Sequence, residues 1–252
     1  MHDIKDILVL GMGQAEDEHR FAYAERMAKT LGAHLDVVLA NELPARAQVT
    51  AQVSALARAV MPSASQTDHK ANETSEKEAA LKMGAEREIE LRRRFPEGSG
   101  ATVSRVDDTA SALGDRITDL ARTRDMFVCS LPGRERELAL AGTILDKVLV
   151  GAGRSVIGVP QGFDRTDPVK HITIAWNPTR ESTRATAEAM PLLQQADAVT
   201  VVMVDQLRRA GEEARPGDDI LQHLSRHNVK ATLARVGSNE LKTSQAILAE
   251  AK

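Results

Sequence analysis

A few places in the chain combine residue type and spacing in ways that suggest chemistry. Gly11-Met12-Gly13 follows an apolar run and precedes a helical pattern, as a dinucleotide-binding fingerprint does, but Glu16 stands where the third glycine belongs. The segment therefore reads as a flexible strand-to-helix turn. His223 and His227 stand at i and i+4, a spacing that lets two imidazoles ligate a metal from one helix face. No Glu follows His223 directly and no third ligand is evident, so they read as surface histidines and no metal is expected. Cys129, the one cysteine, closes an apolar run. A redox thiol is one reading, and a small buried residue on a central strand is the stronger one. The neighbours Asp107 and Asp108 read as the start of a helix, where carboxylates complement the free amides. Gly142-Thr143 reads as a tight turn and helix N-cap. No nucleophile, base and orienting group fall together, so no catalytic residue is assigned.

The elements that must position these residues follow from the apolar pattern. Short, β-branched runs at 7–10, 35–40, 102–106, 126–129 and 156–159 alternate with helical patterns at 18–31, 111–122 and 142–150. That alternation is the rhythm of βαβ units around a parallel sheet. Further runs at 172–175, 199–204 and 232–236, and a helical pattern from about residue 239 onward, continue it. The segment between 43 and 101 is of another kind. Val49, Val53, Leu56 and Val60 fall on one helix face, and Pro62 ends that run. Residues 63–77 have almost no apolar side chains and read as a loop. Leu81, Ala85 and Ile89 resume the stripe, and Arg92, Arg93 and Arg94 read as a solvated helix end.

Composition bounds the function. Aromatic residues are only 2%, so the cores must be aliphatic. A net charge of −3 gives no bulk electrostatic reason to expect nucleic acid or an anionic membrane as a partner. One cysteine excludes an intrachain disulfide, no secretory leader pattern is evident, and no apolar run reaches bilayer length. The expected setting is cytoplasmic, with neither membrane nor nucleic acid involved.

The pattern is also written twice. The stretch from Lys5 to Leu43 and that from Lys170 to Leu207 both run apolar segment, small polar turn, helix, apolar segment. Residues 101–121 and 231–251 share Ala-Thr-x-x-Arg-Val at one register. Copy one holds about 35 residues more between its two matched segments, the surplus at 44–100. This predicts a first α/β domain at 1–160, a linker at 161–169 and a second domain at 170–252. The second lacks a counterpart of the last two strands of the first and of the helix between them. A sheet so shortened leaves an exposed edge and apolar helix faces, which favour association with copy one or another chain, or disorder near the C-terminus.

On these residues the chain resembles a tandem universal stress protein over nearly its full length. That family has an adenine-nucleotide α-hydrolase-like sheet, a strand-one start of the type I-L-V-x-x-D-G-S, and a motif G-x2-G-x9-G-[S/T] after strand four in its ATP-binding members. Gly142 and Thr143, followed by ILDKVL, fit the close of that motif, and the run Val156-Ile157-Gly158-Val159-Pro160 suits the family's last strand. The two earlier glycines fall on Cys129 and Pro132, and Gly133 lies one residue later. Met12 occupies the strand-one Asp position, and copy two has Asn177 there. The resemblance implies two open parallel-sheet, Rossmann-like units. It implies a non-catalytic stress-response protein that associates with itself, as an intramolecular pseudo-dimer or a homodimer. A degenerate site for ATP or another adenine nucleotide would then involve Gly11, Met12, Gly13, Gly133, Gly142 and Thr143. The alternative is a regulator that binds ATP and hydrolyses it slowly.

Overall fold

The computed structural model describes residues 3–45, 64–131, 139–164, 169–204, 217–237 and 242–251. Val49, Val53, Leu56, Val60, Pro62, Pro132 and Gly133 lie outside them. The chain divides into two compact units, with the boundary at residues 165–166.

The first unit alternates β1 (Asp6–Gly11), α1 (Asp17–Leu31), β2 (His34–Glu42), α2 (Ala64–Arg94), β3 (Ala101–Asp108), α3 (Ala110–Arg122), β4 (Met126–Ser130), α4 (Ala139–Gly151) and β5 (Ser155–Val159). Its strands form one parallel sheet in the order β3-β2-β1-β4-β5. β1 is central because both of its neighbours are apolar strands; Ile7, Val9 and Leu10 are fully buried. Leu8 and Leu10 point to one face and pack with Leu113 and Ile117 of α3 and Ile144 and Val148 of α4. Gly11, on the alternate face, lies under the Phe21 ring of α1, where a Cβ would stand 2.9 Å from Cζ. Both faces are thus covered, as a parallel sheet requires. The α1 helix stops at Gly32, whose left-handed φ of 64° lets its amide reach the Ala28 carbonyl.

Helix α2 departs from expectation twice. It runs from Ala64, through the stretch expected to be a loop. That stretch holds no Gly or Pro and several strong helix formers, and propensity carries a polar helix where an apolar stripe is missing. Its packing face is also rotated from the expected one. Ile89 is 51% exposed, whereas Gly84 and Leu91 are buried, followed by Phe95 just past the helix. Phe95 meets Phe21 edge-on, with centroids 5.5 Å apart.

The second unit has β6 (His171–Ala175), α5 (Arg180–Leu193), β7 (Ala198–Val204), α6 (Asp218–Arg226), β8 (Ala231–Val236) and α7 (Thr243–Glu250). Its parallel sheet runs β6-β7-β8, which repeats the β1-β2-β3 half of the first. Ile174, Val199, Val201 and Met203 pack with Met190 and Leu193 of α5 and Ile220 and Leu224 of α6. Among the described residues nothing corresponds to β4 and β5, so β6 is a sheet edge. No helix of the described residues is long and apolar enough to cross a membrane.

A candidate ligand cavity at the strand ends

In the first unit the chain leaves β1 for β2 and β3 on one side and returns to β4 on the other. The carboxyl ends of the strands at such a reversal form a crevice where ligands of open α/β sheets sit. Two adjoining hollows lie there. The larger, of about 540 Å³, is lined by Met12 after β1, Asn41 and Glu42 ending β2, Ala110 opening α3, Leu140 and Thr143 of α4, and Ala80 and Met83 of α2. The smaller, of about 320 Å³, is lined by Gly13, Asp17, Glu18, Phe21, Glu90 and Arg94 among others. Gln14 and Arg87 line both. The larger volume is within the range of small-molecule pockets.

The β1–α1 turn is held from within. The Asp17 carboxylate is 3% exposed, and its Oδ2 accepts from the amides of Met12 at 2.6 Å, Gly13 at 2.8 Å and Gln14 at 3.3 Å. Its Oδ1 accepts from Arg20 Nη2, while Arg20 Nε donates to the Leu10 carbonyl at 2.5 Å. Three amides converging on one oxygen make an anion nest of the kind that cradles phosphate in other α/β proteins. Here a side chain of the same helix fills it.

Helix α2 closes the other wall. Asn41, 4% exposed, donates from Nδ2 to the Ala80 carbonyl at 3.1 Å and to Asp107 Oδ1 at 2.6 Å. Gly84 makes this approach feasible, because a Cβ there would stand 2.3 Å from Asn41 Nδ2. Arg94 fastens the end of α2 to α1 by donating to Glu18 and Glu25, and these hydrogen bonds hold its pKa above the ordinary value. It is therefore tied down, and the solvated reading holds only for Arg92 and Arg93, which are exposed.

The candidates named from sequence are dispersed over these features. Met12 and Thr143 line the larger hollow and Gly13 the smaller, whereas Gly11 and Gly142 line neither. Gly142 and Thr143 are the fourth and fifth residues of α4, not its cap, because the helix already starts at Ala139. The Thr143 hydroxyl donates to the Ala139 carbonyl at 2.9 Å. Asp107 and Asp108 end β3 and do not begin α3, whose N-cap is Thr109. Strand pairing with Asn41 and Glu42 extends β3 through both carboxylates. Cys129 is buried on β4, and burial pushes its thiol up to about 11, far from a reactive thiolate. The His223 and His227 rings lie 4.7 Å apart at the end of α6, and among the described residues no group of three or more His, Cys, Asp or Glu side chains could hold a metal. Sequence reasoning missed Asp17, Asn41 and Arg87. None of the three carries a local signal: each acquires its role from the neighbours that the fold brings to it.

A universal stress protein from Archaeoglobus fulgidus DSM 4304 superposes with a TM-score of 0.61 at 11% identity, over 97% of this chain and 80% of that one. The fold is that of a universal stress protein. A putative universal stress protein from Pseudomonas aeruginosa UCBPP-PA14 gives 0.49 at 14% identity, over 93% of this chain and 74% of that one. A universal stress protein solved in complex with cAMP gives 0.34 at 14% identity, over 63% and 98%. No protein-family model and no curated protein matches the sequence. The likeness is therefore one of fold, and function must be argued from the cavity.

Proposed function

We propose that this chain is a cytoplasmic stress-response protein of the universal stress type, non-catalytic, acting through association, with an adenine-nucleotide site that has lost its triphosphate cradle. The observation that carries the reading is the Asp17 carboxylate in the amide nest of the β1–α1 turn. Those three donors are spent on the protein itself, and a phosphate placed there would meet a negative charge. The Glu42 carboxylate on the cavity wall acts in the same direction. The Thr143 hydroxyl, engaged with Ala139, adds no free donor. The open edge of β6 supports association, since an unpaired strand offers a row of amides and carbonyls to another chain.

Calorimetric titration with ATP and AMP tests the site. The expected result is that ATP binds no more than about threefold tighter than AMP, with no phosphate release over hours. A preference for ATP beyond about tenfold, or turnover, would overturn the reading. Sedimentation velocity tests association, and a monomer at every concentration would remove that part.

A further inference from the structure

We infer that Arg87, on helix α2, is the anion-recognition residue of the strand-end cavity, and that Gly13 is glycine partly to make room for it. This rests on the reading of the cavity as a nucleotide site and adds which group of the ligand is held, and by what. The ligand class is a small molecule bearing one phosphate.

Charge pairing sets Arg87 apart. The arginines around this end of the first unit are matched to carboxylates: Arg20 to Asp17, Arg94 to Glu18 and Glu25, Arg105 to Asp107. Arg87 forms no hydrogen bond or ion pair among the described residues, yet it borders both hollows. In the larger one it is the sole cation among the described lining residues, with Glu42 the other ionised side chain. A guanidinium left half-buried without a partner is costly unless something pairs with it, and its fork of donors suits phosphate oxygens.

Its position is also built. Gly13 has φ +72°, and a Cβ on it would fall 2.4 Å from Arg87 Cδ and 2.8 Å from Nε. Only glycine both adopts that turn and lets the arginine stem lie across it. The Asn41–Ala80 hydrogen bond and the close approach at Gly84 fix α2 one to two turns before Arg87, so the guanidinium is presented from an anchored helix. With the amide nest filled by Asp17, Arg87 is where a phosphate finds positive charge, and a single guanidinium suits a single phosphate.

The test compares adenosine, AMP and inorganic phosphate on the full chain, wild type and Arg87→Gln. AMP is expected to bind wild type about tenfold or more tighter than adenosine. Arg87→Gln should abolish that preference, leave adenosine binding unchanged and, since no internal bond is lost and an unpaired charge is relieved, not lower Tm. Arg87→Lys should retain part of the preference and Arg92→Gln all of it. Phosphate alone should shift the Arg87 Nε–H resonance of wild type. Adenosine binding with no AMP preference and no phosphate shift sinks this inference while sparing the nucleotide reading. A phosphate shift at Arg87 without adenosine binding sinks the nucleotide reading and spares Arg87. No binding of any probe sinks both.

Discussion

β1 and β6 open their sheets with related segments, Ile7-Leu8-Val9-Leu10 and Ile172-Thr173-Ile174-Ala175, and meet different surroundings. β1 is hydrogen-bonded on both sides and buried on both faces. Among the described residues β6 pairs only with β7, and it buries one face, through Ile172 and Ile174, while His171 and Ala175 are exposed. The residues record this difference. Where β1 is aliphatic in both alternating sets, β6 places His171, Thr173 and Ala175 in the set that faces away from its core. A strand covered on both faces reads as a continuous apolar run, and one covered on a single face alternates. The two turns that follow differ likewise. The first is closed by the buried Asp17–Arg20 pair. The second is an exposed hydroxyl turn, in which the Thr179 hydroxyl donates to Asn177 Oδ1 at 2.8 Å and the Ser182 hydroxyl to the Asn177 carbonyl.

The largest effect expected from this contrast comes from breaking the first turn. Asp17→Ala leaves the Arg20 guanidinium buried and three amides without their acceptor, at a cost of about 3–5 kcal/mol. Thr179→Ala in the second turn should stay within about 0.5 kcal/mol. The single tryptophan, Trp176, belongs to the second unit, so its fluorescence reports on that unit, while circular dichroism reports on both. Asp17→Ala should move the circular-dichroism transition, while Thr179→Ala should leave the Trp176 transition nearly in place. Equal effects of the two substitutions would show that the turns are held alike.

Next in size is Gly84→Ala. The added methyl cannot coexist with Asn41 Nδ2 at 2.3 Å, so either the Asn41 hydrogen bonds to Ala80 and Asp107 break or α2 lifts. A loss of about 1–3 kcal/mol is expected, despite the better helix propensity of alanine. A gain in stability would mean that α2 is not seated on β2.

Hydrogen exchange reads the strand comparison directly. The β1 amides should exchange only on global opening, while those β6 amides that point away from β7 should exchange rapidly in dilute protein. Uniform protection along β6 at low concentration would mean that a partner strand covers the edge even there.

These contrasts also show what the sequence could and could not reveal. The strands were legible because short β-branched runs bounded by turns have few other fates in an α/β chain, and the repeat fixed the half-sheet of the second unit. Helix α2 was not legible in its polar half, because it has no apolar stripe there and local propensity decides. Asn41 and Gly84 are 43 positions apart, and nothing in either marks the other until β2 and α2 are packed. Arg87 was hidden for a further reason. An arginine on a charged helix reads as solvated, and its role rests on which neighbours are already paired.

The smallest expected effect isolates charge at one matched position. Asp36 on β2 faces Thr102 on β3, and its counterpart in the second unit is Thr200 facing Thr232. Burial pushes the Asp36 carboxyl up, but the Thr102 hydroxyl, the Arg124 guanidinium and nearby His34 outweigh it and hold the pKa below the usual carboxylate range. A depressed folded-state pKa stabilises above the unfolded value of about 3.9, and the contribution is lost as pH falls through the folded value. Asp36→Thr, which copies the second unit, should therefore cost up to about 1 kcal/mol at neutral pH, since Arg124 is partly exposed. Below about pH 4 the difference between variant and wild type should shrink toward zero. A difference that stayed constant from neutral pH down to about pH 3 would assign the effect to packing against Thr102 and not to the charge.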